Sequence, residues 1–462
     1  MFRRVLVANR GEIACRILKT CERLGLETVA VFSDADASAL HVTLADQAVR
    51  LGAAPVKDSY LNVPALVAAI EATGADAVHP GYGLLSENAD FASAVAAAGA
   101  TFVGPTPAAL ATFGDKIAAR SLARSAGAPP PPGSDGPVDV TDLERLRVEA
   151  ERVGLPLLVK AAGGGGGIGM QIVRDWSELP KAAKTCSDRG RAAFADERVY
   201  LERYLDSPRH IEVQILCDSH GGAVALGERE CSVQRRHQKI IEESPSPADF
   251  FEAEQGEARR RELWERALRI VRKAGYVGAG TVEFVADRSG DSFFLEVNAR
   301  LQVEHPVTEL CTGLDLVELQ LRIAAGEALP RAVLSPTFTG HAVEVRLYAE
   351  DPARQFVPQP GIVSRLSWPE GLPGVRIDAG ILEGSEVTPY YDPLLAKLIA
   401  HGSTRQEALS RLLGALNATQ LELVGPKGPR RTNKDFLIAI LRDSRFTSGQ
   451  YDTGLAETLA RG

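Results

Sequence analysis

GTVEFVADRSGDSFFLEVNAR (280–300) contains the two runs that decide the architecture: GTVEFVAD and SFFLEVNAR read as strands over 280–287 and 292–300, and with HIEVQIL (210–216) they suggest an antiparallel sheet. Side chains alternate along a strand, so Glu296, Asn298 and Arg300 share one face while Leu295, Val297 and Ala299 take the other. One such polar face could simply meet solvent. Two carboxylates on neighbouring strands, Glu283 and Glu296, with an amide oxygen beside them are also the hard oxygen ligands of a magnesium–nucleotide site. The next segment, QVEHPVTE (302–309), adds Gln302, Glu304 and His305, denser than a surface would require.

Upstream, LPLLVKA (155–161) and MQIV (170–173) read as strands on either side of the glycine run Gly163–Gly167 and Gly169. A dinucleotide fingerprint must open a helix, whereas MQIV continues as strand, so the run reads as a hairpin tip. It also lacks the Gly-Lys-Ser/Thr ending of a Walker loop. A backbone without side chains can bring its N–H groups close to phosphate oxygens, and Lys160 stands just before it; the plainer alternative is a flexible linker. GERECSVQRRHQKIIEE (227–243) places Arg235, Arg236, His237 and Lys239 among several acids. Alone it reads as a salt-bridged surface; beside a carboxylate–magnesium site it becomes a source of cations for phosphoryl oxygens.

At the N-terminus, RRVLVA (3–8) reads as a buried strand, followed by a turn at Asn9–Gly11 and an amphipathic helix carrying Ile13, Ile17, Leu18, Cys21 and Leu24. TVAVF (28–32) and DAVHP (76–80) alternate with helical runs 62–73 and 87–99, the βαβα rhythm of an open parallel sheet. The proline-rich stretches APPPPGSDGP (128–137) and PSP (245–247) punctuate the chain. Three units are expected: an α/β domain over 1–115, a second domain over 116–334 with a small lid at about 130–205, and an α+β domain over 335–462.

Of the 462 residues 45% are hydrophobic and 24% charged, which places the chain among globular proteins. Its formal net charge of −8, with no Lys/Arg block, argues against a nucleic-acid or anionic-membrane surface. No apolar run approaches the ~18 residues of a membrane span, and Asn9 and Arg10 cut off the N-terminal apolar run, so the expected location is the cytoplasm. The six cysteines form no CxxC pair and read as reduced core residues.

ANRGEIACRI (8–17), HPGYGLLSEN (79–88), KAAGGGGGIGM (160–170), ERECSVQRRHQKIIEE (228–243), EVNARLQVEHPVTE (296–309), HAVEVRLYAEDP (341–352) and PYYDPLLAKLI (389–399), in this order, resemble the biotin carboxylases, which are ATP-grasp enzymes. The resemblance covers nearly the whole chain. It implies a Rossmann-like N-terminal domain, an ATP-grasp domain with a mobile lid, and a C-terminal α+β domain. It also implies an activity: ATP, with Mg2+ or Mn2+, activates bicarbonate as carboxyphosphate, which carboxylates biotin on a separate biotin carboxyl carrier protein. The chain would be the biotin carboxylase subunit of an acyl-CoA carboxylase, a homodimer working with a carboxyltransferase subunit. Carrier domains place their biotinylated lysine between methionines, and the only methionines here are Met1 and Met170, neither beside a lysine.

By motif, the resemblance assigns the ATP phosphates to Lys116, Lys160, Gly164, Gly165, Gly166, Gly167 and His237. It assigns adenine to Glu202 and the backbone near Leu205, and the ribose to His210 and Gln234. Magnesium falls to Glu283, Glu296 and Asn298. Lys239 becomes a cation near bicarbonate and the γ-phosphate, while Arg300, Gln302 and the Val303 backbone become the bicarbonate cradle. Glu304 becomes the base that deprotonates bicarbonate, and Arg346 the group that steadies the biotin enolate. Read without the family, Arg346 shares a strand face with Glu344 and would form a surface ion pair. Two positions depart from the family pattern: Ile168 replaces an arginine in the glycine loop, and Pro373 lies near a phenylalanine of the dimer contact.

Overall fold

The computed structural model describes residues 1–163, 169–236, 238–369 and 371–461. Gly164, Gly165, Gly166, Gly167, Ile168 and His237 therefore lie outside the described residues. The fold class is the mixed α/β and α+β arrangement expected.

The N-terminal strands Arg4–Val7, Glu27–Ser33 and Ala77–His79 pair in parallel, extended at one edge by Gln47–Gly52 and at the other by the short Thr101–Phe102. Helices Gly11–Arg23, Val63–Thr73 and Ala89–Ala97 cover the sheet. Asn62 and Asn88 start the latter two by accepting from the N–H groups of Ala65 and Phe91. Sequence reading did not separate the edge strand Gln47–Gly52, whose residues are mostly half-buried or exposed.

A large antiparallel sheet of eight strands runs in the order Ser292–Asn298, Gly278–Ala286, Arg209–Cys217, Ala223–Arg235, Gln238–Ser244, His341–Tyr348, Leu394–Gly402 and Val375–Ala379. Strands from both sides of residue 335 thus share one sheet, joined where Gln238–Ser244 pairs with His341–Tyr348. Helix Gly256–Lys273 packs its apolar side on one half, and Arg405–Ala418 on the other. The short helix His305–Thr312 lies on the opposite face, with Val307 and Cys311 against Ala342 and Ile399. Above the cleft, Met170–Val173, Leu157–Ala161 and Val199–Arg203 form a small antiparallel sheet in which Lys160 opposes Met170.

Apart from the exposed Arg236, the described residues of 227–243 are not a surface. They supply two central strands, and Glu228, Arg229, Glu230, Glu242 and Glu243 are buried. The charges are tolerated because partners arrive from distant segments: Arg260 and Trp264 hold Glu228, Arg209 holds Glu230, and His341, Arg405 and Tyr451 converge on Glu243. All six cysteines are buried and unbridged. None of the described helices is long and apolar enough to cross a membrane.

Candidate active site

A cleft of about 1290 Å³ lies between the parallel domain, the small lid sheet and one face of the eight-stranded sheet. Among the residues lining it are Lys116, Lys160, Glu202, Leu205, His210, Gln234, Lys239, Glu283, Glu296, Asn298, Arg300, Gln302, Val303, Glu304 and Arg346. The cleft therefore brings together every described residue to which the resemblance gave a role, whereas Arg235, Arg236 and His305 do not line it: Arg235 pairs with Glu350, Arg236 with Gln355, and His305 is buried at the start of its helix.

Period-two alternation explains much of this. His210, Glu212 and Gln214 project from one face of Arg209–Cys217, and Glu283 lies opposite Glu212 on one neighbour and Glu296 on the other. Lys239 reaches the same face from Gln238–Ser244. Its Nζ donates to Glu212 Oε2 at 2.5 Å, Glu304 Oε1 at 2.7 Å and Glu283 Oε1 at 2.8 Å, which uses all three ammonium donors. Burial works against the ammonium, but Glu212, Glu283 and Glu304 outweigh it and hold Lys239 well above the ordinary lysine range. Burial likewise opposes the Glu283 carboxylate, yet Lys239 and His210 hold its pKa well below the usual carboxylate range.

His210 Nε2 stands 2.7 Å from Glu283 Oε2, and its Nδ1 meets the Gln234 amide at 3.0 Å. Asn298 Nδ2 and Gln302 Nε2 donate to Glu283 at 2.7 and 3.2 Å. Glu296 pairs with Lys116 at 3.0 Å, and Lys116 lowers its pKa. Glu202 takes Lys160 at 3.0 Å and also Arg120. Arg300 is spread over Glu87 (2.9 Å), Gln302 (2.7 Å) and Asn298 (3.1 Å).

At the far end, Arg346 Nη2 sits 2.5 Å from Glu242 Oε1 and 2.9 Å from Glu304 Oε2. It is buried, not a surface residue, and its partners are not Glu344. The Glu344 carboxyl is buried with no hydrogen-bond partner among the described residues, and burial pushes its pKa well up. Glu304 is the junction: burial opposes its charge, while Lys239, Arg346 and Arg229 hold its pKa well below the usual range.

Glu283 and Glu296, register partners that both open onto the cleft, with Asn298 beside them, offer the hard oxygen donors a divalent cation needs. Among the described residues, the clusters with ligand atoms in closest reach are His210–Glu212–Glu283 and Glu212–Cys231–Glu304, and the Lys239 ammonium already serves their carboxylates.

Sequence reasoning missed Glu212, Glu242, Arg120, Glu87 and the wholly buried Arg229, which holds Glu212 at 2.5 Å, Gln214 at 2.6 Å, and Thr281 and Thr308 at 3.0 Å. The polar alternation of His210, Glu212 and Gln214 inside an apolar strand was the available signal for the first.

Three family models match the chain: "Biotin carboxylase, N-terminal domain" over residues 1–110, "Carbamoyl-phosphate synthase L chain, ATP binding domain" over 115–332, and "Biotin carboxylase C-terminal domain" over 344–458. A biotin carboxylase of Haemophilus influenzae is 47% identical over 97% of both chains. The propionyl-CoA carboxylase alpha chain of Ruegeria pomeroyi is 44% identical over 100% of this chain and 69% of its own length. Among solved structures, the biotin carboxylase–β,γ-ATP complex of Campylobacter jejuni superposes with a TM-score of 0.93 at 39% identity, covering 100% of this chain and 99% of the other. The biotin carboxylase domain dimer of Hydrogenobacter thermophilus 2-oxoglutarate carboxylase, solved with MgADP, ADP and bicarbonate, gives 0.92 at 40% identity, covering 99% and 98%.

Proposed function

The chain belongs to the biotin carboxylase family of ATP-dependent ligases, and from that premise we propose that it carboxylates biotin on a separate biotin carboxyl carrier protein, using MgATP and bicarbonate, as the biotin carboxylase subunit of an acyl-CoA carboxylase. The observation that carries the reading is Glu304, a buried carboxylate bonded by Lys239 from the nucleotide side of the cleft and by Arg346 from the other.

Lys116 and Lys160 hold phosphate oxygens, Glu202 and the Leu205 backbone hold adenine, and His210 and Gln234 hold the ribose. A magnesium or manganese ion on Glu283, Glu296 and Asn298 would supply neutralising charge to the triphosphate. Arg300, Gln302 and the Val303 backbone orient bicarbonate toward the γ-phosphate, and Glu304 takes its proton. Lys239 and Arg346 restrain Glu304 through direct ion pairs, so each cation that turns toward a substrate oxygen raises the proton affinity of that carboxylate. Arg346, turning to biotin, stabilises negative charge on the ureido oxygen. The similarity to propionyl-CoA carboxylase alpha chains supports the acyl-CoA assignment, and the dimer of the Hydrogenobacter domain supports a homodimer.

Phosphate release from MgATP by the purified chain, with and without bicarbonate, followed by transfer of labelled carbon to free and carrier-bound biotin, tests the reading. ATP cleavage indifferent to bicarbonate would overturn it. With the native complex, acceptance of pyruvate or urea and refusal of acyl-CoA thioesters would overturn the acyl-CoA assignment alone.

A further inference from the structure

Beneath the loop 301–304 lies a lysine to which none of the roles above falls. Lys397, in Leu394–Gly402, is wholly buried, and its Nζ donates to the Val303 carbonyl at 2.6 Å. The same ammonium stands 3.4 Å from Glu12 Oε1 and 3.9 Å from Asp378 Oδ2. Asp378 is forked by Arg376, and Glu12 also accepts from the Tyr82 hydroxyl, so neither carboxylate answers to Lys397 alone. Burying an ammonium is costly unless its donors are met by acceptors, and here the shortest contact is to backbone of the cleft loop.

The register makes this contact specific. Lys397 is the cross-strand partner of Arg346. Two adjacent strands thus present neighbouring cations that grip consecutive residues: Lys397 the carbonyl of Val303, Arg346 the side chain of Glu304. The Glu12 end is fixed as well, because a Cβ built on Gly380 would fall 2.4 Å from the Glu12 nitrogen, so the start of the first helix is seated directly on the chain leaving Val375–Ala379. A planar peptide ties the Val303 carbonyl to the Glu304 N–H, so holding one end sets the other.

We propose that Lys397 is a positioning residue for bicarbonate: by holding the Val303 carbonyl, and being held by Glu12, it sets the path of the loop that carries Gln302, Val303 and Glu304. This rests on the functional reading above, in which that loop cradles bicarbonate, and it adds a residue that touches no substrate. Support of this kind is worth roughly 10–100-fold when removed.

The test is steady-state bicarbonate-dependent ATP cleavage by the wild-type protein, a Lys397→Met/Glu12→Gln double variant that removes both buried charges, and Lys397→Arg, which keeps a donor but displaces it. The double variant is expected to raise the bicarbonate KM about tenfold or more with the MgATP KM within about twofold, and Lys397→Arg to raise the bicarbonate KM severalfold less. A merely structural lysine would move both KM values together or neither, and either result overturns the proposal. If the double variant shows no cooperative melt, Lys397→Arg decides: a bicarbonate KM raised about threefold at unchanged MgATP KM supports the proposal, and an unchanged one overturns it. Wild-type ATP cleavage that ignores bicarbonate would instead remove the functional reading, and this proposal with it.

Discussion

The Lys239 ammonium lies 2.7 Å from Glu304 Oε1, so the proposed base and the proposed phosphate-side cation neutralise one another in the free enzyme. With Glu212 and Glu283 on the remaining donors, one buried cation holds together three strands and the start of helix His305–Thr312. Structure and chemistry are therefore linked at this point, and substitutions here are expected to show both effects.

Lys239→Met leaves three buried carboxylates without their shared cation. Breaking a buried ion pair from one side costs about 3–5 kcal/mol. In the wild type Lys239 helps to hold the Glu283 and Glu304 carboxyls below their unfolded values, so the stability they contribute is present above an unfolded value of about 4.3 and is lost as pH falls toward the folded values; the variant forfeits part of it. Denaturant melts at pH 7 and pH 4 are expected to show a smaller wild-type-to-variant gap at pH 4; an equal gap would contradict the network.

Glu296→Gln is nearly isosteric and is expected to fold, since Glu296 is partly open to the cleft and its direct partner is Lys116. Loss of one carboxylate from a site that neutralises triphosphate charge is expected to lower turnover about 10²-fold and raise the magnesium requirement. Magnesium titration of ATP cleavage checks this; an unchanged requirement would remove Glu296 from the metal site.

His79 is buried at the end of Ala77–His79, and its Nδ1 accepts the Gly81 N–H at 3.1 Å. Burial pushes its pKa down to about 3. A depressed histidine contributes stability that is fully present above the unfolded value near 6.5 and is lost as pH falls toward the folded value. Relative to His79→Gln, the wild type is expected to lose about 1.4 kcal/mol of stability per pH unit below about 6. Paired chemical melts from pH 7 to 5 check it, and parallel curves would contradict a neutral His79.

The parallel domain was legible because its strands and helices announce themselves locally: VLV is apolar and buried, and Ile13, Ile17 and Leu18 recur at helical spacing. The Glu283–Glu296 pairing was legible because alternation within each strand fixes the faces. Taken alone, residues 227–243 pass for surface because buried charge looks exposed until its partners are known, and Arg260, Arg405 and Tyr451 lie up to 208 residues away in sequence. The alternative reading of Arg346 as a surface ion pair fails for the same reason: its neighbour along the strand, Glu344, is a poor guide, whereas Glu242 and Glu304 arrive through register and a loop. The sharing of one sheet across residue 335 rests on the pairing of Glu242 with Glu344, and no local pattern encodes that.

In the proposed function Glu304 activates bicarbonate and Arg346 serves carboxyl transfer, and one paired measurement separates them: phosphate release without biotin and labelled carboxybiotin formation, side by side, in wild type, Glu304→Ala and Arg346→Ala. Glu304→Ala is expected to lose both activities by about 10²-fold or more. Arg346→Ala, whose Glu304 still has Lys239, is expected to keep bicarbonate-dependent phosphate release within about tenfold while carboxybiotin falls by about 10²-fold or more. Equal loss of both activities in Arg346→Ala, or phosphate release untouched in Glu304→Ala, would contradict it.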